Sequence, residues 1–458
     1  MEQTHFESLY PDTSRFAEIE KLLKFVKEGN SSQLVGLPGV GRSNLLGFLS
    51  YNRGIREKHL EENQKWFHFV LCNFSEVRKK PLLDAIKFIF LSLVESLRER
   101  KMSEFERVDK IFSQSTTTAD EMVLFNGLKQ AIDFLSIEKE LTVVFLFDRF
   151  EEYVPMITPE FFTNLRSLRN RAKYRFSVVF SLNRELEELI EPTLFADFHE
   201  FLADNIIYLP LLDKPGLDFR ISYLEKVSGK KLGKEKVEEV IKLTGGHGKL
   251  TRLCLEATLP ASISQLTTDN TDDLKSYLSE QKSIKGALYE IWSSLLPEEQ
   301  KFLAGLNTSE VTEWAPQRWM LEKLGLVGLV KDNKVTIPLF EKFITTLLRQ
   351  DFGRAQRLTF DPKTNEIKRG DITLSESLTS SEFKLLKFLL ENKDKVIQRD
   401  EIIQAVWKED KTTAGVTDQA IDQLIFRLRK KIEKDPNNPM HLQTIKGRGI
   451  RFINDVKR

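Results

Sequence analysis

The C-terminal hundred residues constrain the fold most, because their apolar spacing predicts three helices followed by a hairpin. The first helix is predicted to open at Thr379 or Ser380, either of which can cap it. The second begins near residue 399, and the third runs from 418 to 434. A short hairpin of 443–445 and 451–452 follows, turning at Lys446-Gly447-Arg448-Gly449. One apolar stripe on each helix faces a shared core: Phe383, Leu386 and Leu390; Ile402, Ile403, Val406 and Trp407; Ile421, Ile425, Leu428 and Ile432.

The third helix has a polar face opposite its apolar stripe, formed by Gln419, Gln423, Phe426, Arg427 and Lys430. Further cations on this helix and the hairpin are Arg429, Lys446, Arg448 and Arg451. Residues 355–458 hold 21 Lys or Arg and 16 Asp or Glu, a net charge of +5, whereas the whole chain is +1. A helix in the major groove with a basic hairpin beside the backbone suits double-stranded DNA, our expected partner. A winged helix used for protein contacts is the alternative.

This region resembles the OmpR/PhoB-type effector domain of bacterial response regulators over about residues 355 to 456. The matching segments are Leu378-Thr379, Glu382-Phe383, Arg399-Asp400-Glu401, Val406-Trp407, Arg427-Leu428-Arg429-Lys430-Lys431-Ile432 and Gln443-Thr444-Ile445-Lys446-Gly447-Arg448-Gly449. The chain has Gln419-Ala420 where the family often has Arg-Thr, and Leu424 where it often has His. The resemblance therefore does not identify the base sequence that the domain would read. It implies a winged helix-turn-helix that regulates transcription.

Two further expectations depend on that resemblance. The loop 408–415 corresponds to a family surface for RNA polymerase, which makes the polymerase a second candidate partner; a plain solvated loop is the alternative. The chain shows no receiver domain with a phospho-acceptor aspartate, so we expect an input other than a phosphoryl group from a histidine kinase.

The N-terminal half contains a glycine-rich loop between an apolar run and a helix predicted to begin at Asn44. The loop is Gly36-Leu37-Pro38-Gly39-Val40-Gly41-Arg42-Ser43. Glycines let backbone N–H groups surround phosphates at a helix N-terminus, and a terminal Ser hydroxyl can hold Mg²⁺. Arg42 stands where such loops usually have Lys, and a guanidinium is bulkier and forked. A glycine-rich turn without a ligand is the alternative.

Three other apolar runs predict a parallel sheet with intervening helices, near 66–72, 141–147 and 176–182. The second run ends in Asp148, followed by Arg149, and the third is followed by Asn183-Arg184. A carboxylate at a strand's carboxyl end lies where Mg²⁺ sits in P-loop enzymes. Asp148 and Ser43 are therefore candidate metal ligands. Asp148 is a candidate catalytic acid together with Glu151, for which Glu152 is the alternative.

With these residues the chain is similar to AAA+-like ATPases of the STAND class over roughly residues 10 to 350. The resemblance makes Gly36–Ser43 the Walker A loop, Asp148 the Walker B aspartate, Asn183 or Arg184 the phosphate sensor, and Pro210 the proline beside the adenine. Gly245-Gly246-His247 is similar to the family's lid motif, and His247 is either near the phosphates or only a helix-terminal residue. The implied cofactor is ATP or ADP with Mg²⁺. Arg42 and Arg149 depart from residues that support hydrolysis, so whether the chain is an enzyme stays open, with a weak ATPase as one expectation.

We therefore expect a multidomain α/β chain: a P-loop core with a parallel sheet over 1–210, a helical lid over 211–282, an internal winged-helix-like domain over 283–350, and a C-terminal winged helix over 355–458. The internal domain is predicted from a hairpin turning at Asp332-Asn333, and we expect it to be structural. Only Cys72 and Cys254 occur, so no disulfide framework is implied. The sequence shows neither a signal peptide nor a membrane-spanning run, which favours the cytoplasm and no membrane partner.

Three functions remain open from the sequence. The first is a transcription regulator whose winged helix is controlled by a nucleotide-binding switch. The second is an ATPase of a defence or mobile-element system that uses the winged helix to reach DNA. The third is a scaffold with an inactive P-loop. Association into homo-oligomers is left open.

Overall fold

The computed structural model describes residues 5–202, 204–211, 213–259, 271–306, 318–354, 358–369, 372–407, 417–433, 435–436, 438–445 and 447–453. They form two compact units, Met1–Phe343 and Ile344–Arg458. In this part of the chain no helix is long and apolar enough to cross a membrane.

The first unit begins with an α/β core. Its elements in chain order are α1 (Phe16–Lys27), β1 (Ser32–Gly36), α2 (Arg42–Tyr51), α3 (Arg53–Leu60), β2 (Phe67–Asn73), α4 (Leu82–Glu99), α5 (Phe105–Ser115), α6 (Glu121–Asp133), β3 (Thr142–Asp148), α7 (Pro159–Ala172), β4 (Phe176–Leu182), α8 (Leu186–Leu189), α9 (Ala196–His199) and β5 (Ile206–Leu209). The predicted strands all form. Helix α2 begins at Arg42 rather than at Asn44, so the prediction was two residues late; Gly41, at φ +112°, precedes its first turn.

The five strands form one parallel sheet in the order β2-β3-β4-β1-β5. Strands β1, β3 and β4 are buried along their whole length, which explains their continuous apolar runs. Because β1 pairs with β4 and β4 pairs with β3, all in parallel, the carboxyl ends of these three strands are neighbours at one edge of the sheet. Ligands of open α/β sheets bind at such an edge, where the strand order reverses. The glycine-rich loop 36–43 therefore lies beside the segments that follow β3 and β4.

Helices and one small hairpin follow the core. They are α10 (Lys214–Ser228), α11 (Lys234–Thr244), α12 (Gly248–Thr258), α13 (Thr271–Glu280), α14 (Lys282–Ser293), α15 (Pro297–Leu306), α16 (Arg318–Leu326), β6 (Val330–Lys331), β7 (Lys334–Val335) and α17 (Pro338–Arg354). The predicted hairpin forms: β6 pairs with β7, and Asp332 and Asn333 have φ of 50° and 56°, as a type I′ turn requires. The division of the first unit into core, lid and internal domain remains a prediction.

The second unit contains β8 (Leu358–Asp361), β9 (Glu366–Arg369), β10 (Ile372–Thr373), α18 (Ser380–Glu391), β11 (Val396–Ile397), α19 (Arg399–Trp407), α20 (Asp418–Ile432), β12 (Leu442–Ile445) and β13 (Gly449–Phe452). The strands form two antiparallel sheets, β10-β9-β8 and β11-β13-β12. Thr379, one of the two predicted caps, caps α18, and it forms a capping box with Glu382 that the sequence analysis did not predict. Helix α20 ends at Ile432, short of the predicted 434.

Candidate phosphate site and candidate nucleic-acid interface

The loop between β1 and α2 has the backbone that a phosphate cradle needs. Gly39 and Gly41 have φ of +81° and +112°, values that side-chain-bearing residues rarely adopt. A Cβ on Gly39 would also lie 2.7 Å from the Cβ of Lys249. Both the backbone conformation and this close contact therefore disfavour any residue other than glycine at this position. The loop leads into a ten-residue helix whose first-turn N–H groups have no partner within the helix. This arrangement favours an anion at the N-terminus of α2.

Ser43 and Asp148 are brought together at this loop, although 105 residues separate them in sequence. The Ser43 hydroxyl donates to Asp148 Oδ1 over 3.0 Å. Asp148 is only 5% exposed at the end of β3, and burial raises the pKa of its carboxyl, partly offset by the Ser43 hydrogen bond and by Arg42. A hydroxyl and a carboxylate at this spacing are suitable oxygen ligands for Mg²⁺.

Arg42 and Glu151 form an ion pair inside the site. Arg42 Nη2 lies 2.6 Å from Glu151 Oε1, and the two side chains are 10% and 16% exposed. Arg42 Nη1 and Glu151 Oε2 are buried and have no hydrogen-bond partner among the described residues. Glu152 pairs instead with Arg78, at 2.7 Å. The candidate catalytic acid Glu151 is therefore already bound to Arg42 of the glycine-rich loop.

The two candidate sensor residues after β4 have different surroundings. Arg184 donates to both carboxylate oxygens of Glu299, at 2.7 and 2.9 Å, and to the Ser294 carbonyl at 3.1 Å. The Arg184 and Glu299 side chains are 8% and 1% exposed. Burial opposes the charge on Arg184, but its hydrogen bonds to Glu299 raise its pKa overall. Asn183 Oδ1 is buried without a hydrogen-bond partner in the described part of the chain, so Asn183 is the sensor candidate with unused polar capacity.

His247 connects the predicted lid to the loop. Its Nδ1 accepts from the Leu250 N–H at 3.3 Å, which caps α12, so the proton is on Nε2, 2.9 Å from the Pro38 carbonyl. Burial lowers the pKa of His247 to about 4. The Lys249 N–H also donates to the Gly39 carbonyl over 3.0 Å. His247 contacts the backbone of the loop and its own helix, and both ring nitrogens are used.

Arg15 is a central residue that the sequence analysis missed. It is 2% exposed and has φ of 55°. Its guanidinium donates to the carbonyls of Val40 at 3.2 Å, Pro210 at 3.0 Å and Leu211 at 3.1 Å, and its backbone N–H donates to Asp213, the cap of α10. Pro210 is thus held at a junction of the loop, the sheet and the predicted lid. The sequence offered one indication of this role: Arg15 directly precedes an amphipathic helix and has Glu18 three residues after it.

A cavity of about 340 Å³ lies beside the first turn of α2. Asn44 of α2, Thr251 and Leu255 of α12, and Arg220 and Tyr223 of α10 are among its lining residues. A cluster of aromatic rings is nearby: Phe6, Tyr10, Phe219 and Tyr223. The cavity is mostly apolar and is lined by two arginines, which suits a flat heterocycle. Pro210, predicted to lie beside an adenine, is not among its lining residues.

In the second unit, the outer face of α20 has the predicted composition. Gln419, Gln423, Phe426, Arg427 and Lys430 are exposed. The opposite stripe is buried and consists of Ile421, Leu424, Ile425, Leu428 and Ile432. An open groove of about 940 Å³ lies between α20 and the hairpin β12–β13.

Three further predicted basic residues of α20 and the hairpin, Arg429, Arg448 and Arg451, divide into two groups. Arg448 is exposed, between Gly447 and Gly449. Arg429 donates to the Leu442 carbonyl at 2.8 and 3.0 Å and to Thr444 Oγ1 at 2.8 Å, and Arg451 donates to Gln443 Oε1 at 3.3 Å. Both guanidinium groups are bound within the unit, Arg429 joining α20 to the hairpin. Lys446 and the loop 408–415 lie outside the described residues.

Comparison with known proteins agrees with the geometry of the second unit. Residues 375–452 match the family "Transcriptional regulatory protein, C terminal". The chain is similar to the sensory transduction protein RegX3 of Mycolicibacterium smegmatis, with 41% identity over 76 residues, 17% of this chain and 32% of that protein. It is also similar to the phosphate regulon transcriptional regulatory protein PhoB of Klebsiella pneumoniae, with 36% identity over 109 residues, 24% of this chain and 45% of that protein. The C-terminal domain is therefore an OmpR/PhoB-type winged helix.

The first unit has a more distant likeness. A Walker-type ATPase of Pyrococcus abyssi aligns with 14% identity and a TM-score of 0.41, covering 75% of this chain and 98% of that one. The P-loop fold of the first unit follows from its own strand order and loop. The chain spans less than half the length of the two curated relatives, so their whole activities are not carried over.

Proposed function

We propose that this protein is a DNA-binding transcription regulator whose first unit binds ATP or ADP with Mg²⁺ and thereby controls the C-terminal winged helix. The observation that carries the proposal is the contact between Ser43 and Asp148 in a P-loop fold, on the same chain as a transcriptional regulatory domain.

DNA recognition is supported by the exposed face of α20 and by the charge of its unit. Arg427 and Lys430 are exposed on the helix, and Arg448 is exposed at the hairpin turn. Lys430 and Arg448 suit phosphates, whereas Gln423 and Arg427 can form bidentate contacts with base edges. Duplex DNA is the partner with the complementary charge.

Nucleotide binding is supported by atoms that fit phosphates and a metal. Ser43 and Asp148 would hold Mg²⁺, and the loop glycines would let the backbone approach the phosphates. Bound Mg²⁺ neutralises phosphate charge. The orphaned Arg42 Nη1 can donate to a phosphate oxygen, whereas the orphaned Asn183 Oδ1 is an acceptor and would bind a water or the metal. The cavity beside Asn44 would take the base. We assign the core to residues 1–210, the lid to 211–282, the structural domain to 283–350 and the DNA-binding domain to 355–458.

Slow hydrolysis is the expected chemistry. Arg149 follows Asp148 at the position where an acid normally orients the attacking water, and Glu151 is paired with Arg42. While this pair persists, Glu151 Oε1 is occupied by Arg42 and is not free to accept a hydrogen bond from an attacking water. The site is therefore better suited to sensing a nucleotide than to rapid turnover.

A switch is supported by the contacts around the loop within the first unit. The backbone of the loop is bound by His247 and Lys249 of the predicted lid, and Arg184 after β4 is bound by Glu299. A ligand shifts a conformational equilibrium only by its differential affinity for the two states. ATP and ADP differ at the γ-phosphate, so we infer that they favour different sets of these contacts.

The Arg42–Glu151 pair also favours one alternative, a scaffold whose P-loop is closed by its own carboxylate. Calorimetric titration with MgATP and MgADP separates the two. The regulator predicts binding that is lost in Ser43→Ala and kept in Ser50→Ala, a buried serine at the other end of α2. Absence of binding heat with either nucleotide would leave the first unit as a scaffold.

A further inference from the structure

The ring of Phe426 is an apolar group on an otherwise polar surface. Its neighbours Ile425 and Leu428 are buried in the core of the second unit, whereas Phe426 is 43% exposed. Among the described residues it belongs neither to that core nor to the half-buried side chains that pack against it. The ring therefore contributes little to the stability of the unit.

Phe426 lies at the centre of the outer face of α20. Gln423 is three residues before it and Lys430 four residues after it, so both are on the same side of the helix. The Lys430 ammonium lies 4.8 Å from the centre of the ring. Phe426 also lines the groove towards the hairpin, together with Arg448 and Thr444. An apolar contact is thus surrounded by groups that suit a polyanion.

The major groove offers one apolar group to such a side chain. A phenyl ring cannot accept or donate the hydrogen bonds that distinguish base edges, but it can pack against the C5-methyl group of thymine. We propose that Phe426 recognises a thymine methyl group in the major groove, and that this contact sets one position of the target sequence. The inference rests on the proposed function, because it requires α20 to face duplex DNA.

The expected size of the effect follows from the area of one methyl group. Burying a group of this size strengthens binding by about fourfold. This is smaller than the effect of a bidentate hydrogen bond to a base, so the contact would refine a site that Gln423 and Arg427 largely determine.

The test replaces thymine by deoxyuridine, which keeps every hydrogen bond and removes only the methyl group. Duplexes enriched from a random pool by the full-length protein are resynthesised with one thymine at a time replaced. Affinity is measured by fluorescence anisotropy for the wild-type protein, Phe426→Ala and Gln423→Ala. We expect at least one replacement to weaken wild-type binding about fourfold, to have no effect on Phe426→Ala, and to keep its effect on Gln423→Ala.

Two results would overturn the inference while leaving DNA recognition intact. The first is tight, sequence-selective binding with no effect of any deoxyuridine. The second is an unchanged deoxyuridine effect in Phe426→Ala, which would assign the methyl contact to another residue. Failure to enrich any sequence, with the protein folded by circular dichroism, would instead reject the proposed function and this inference with it.

Discussion

Arg42 of the phosphate-binding loop and Glu151, beyond the end of β3, are bound to each other at 2.6 Å across 109 residues of sequence. Each has one further polar atom that is buried without a hydrogen-bond partner among the described residues. A phosphate at the loop would therefore compete with Glu151 for the guanidinium. Nucleotide affinity is then set partly by how firmly the protein holds its own carboxylate.

Glu151→Gln is expected to raise the affinity for MgATP about tenfold, because a neutral amide competes less well than a carboxylate for Arg42. The nucleotide-free variant is expected to be less stable, since a buried cation loses its counter-charge. Isothermal titration calorimetry and thermal unfolding check both effects. Glu152→Gln is the matched control, because Glu152 binds Arg78. Equal or weaker binding by Glu151→Gln would show that the carboxylate does not compete with phosphate.

Arg184 and Glu299 form a buried ion pair within the first unit. Glu299→Ala is expected to lower the free energy of unfolding by about 3–5 kcal/mol, because it removes the bidentate partner of the buried Arg184 charge and leaves it the ion pair with Glu188, at 3.2 Å. The double variant Arg184→Met with Glu299→Leu is expected to be more stable than Glu299→Ala, since no charge stays buried. Arg184→Met and Glu299→Leu alone complete the cycle with this double variant, and urea unfolding monitored by circular dichroism measures all three. Additive losses would mean that the two side chains are not energetically coupled.

His247 predicts a pH dependence of stability. Burial holds its folded-state pKa at about 4, below the value of about 6.5 in an unfolded chain. The unfolded state therefore binds more protons between these values, and stability is full above pH 6.5 and falls as the pH drops towards 4. At about 1.4 kcal/mol per pKa unit, the free energy of unfolding falls by about 3 kcal/mol over this range.

The measurement for His247 is urea unfolding at several pH values for the wild-type protein and His247→Asn, which keeps a helix-capping side chain. Subtracting one curve of unfolding free energy against pH from the other removes the contribution of the other titrating groups. A difference that does not change between pH 7 and pH 4.5 would contradict the assigned protonation.

Arg427 and Arg448 are expected to affect DNA binding in different ways. Arg427→Ala should cost about 1–3 kcal/mol on the preferred sequence and relax selection at one position, if the guanidinium holds a base. Arg448→Ala should weaken all duplexes similarly and lower the salt-dependence slope by about one. Gel shifts across a salt series on preferred and random duplexes distinguish them. Identical behaviour of the two variants would refute the assignment of base and phosphate contacts.

Much of the fold could be predicted because buried parallel strands are continuous apolar runs, as Phe176–Leu182 illustrates. The Asp332-Asn333 hairpin and the outer face of α20 follow in the same way from local turn chemistry and helical spacing. Strands β8 to β10 were missed, since they are short and interspersed with charged residues that give no clear alternation.

The contacts between distant residues could not be predicted. The position of Arg184 just after a strand predicted a contact with phosphate, whereas in the structure it binds Glu299, 115 residues later. Arg15 takes a left-handed backbone conformation that no local pattern requires. Arg429 appeared to be one more basic residue of the DNA face, but Leu442 and Thr444 lie within its reach. Pairings of this kind depend on packing between elements, which spacing along the chain does not encode.

The central claim is that the nucleotide state of the first unit changes the DNA affinity of the second. The most direct measurement is the affinity of the full-length protein for its enriched duplex, by fluorescence anisotropy, without nucleotide, with MgADP and with a non-hydrolysable MgATP analogue. The account predicts affinities for ADP and the analogue that differ by about 5–150-fold, the usual range of allosteric coupling, and that become equal in Ser43→Ala and Asp148→Ala. Three superimposable curves for the wild-type protein, under conditions where calorimetry shows the nucleotide bound, would contradict it.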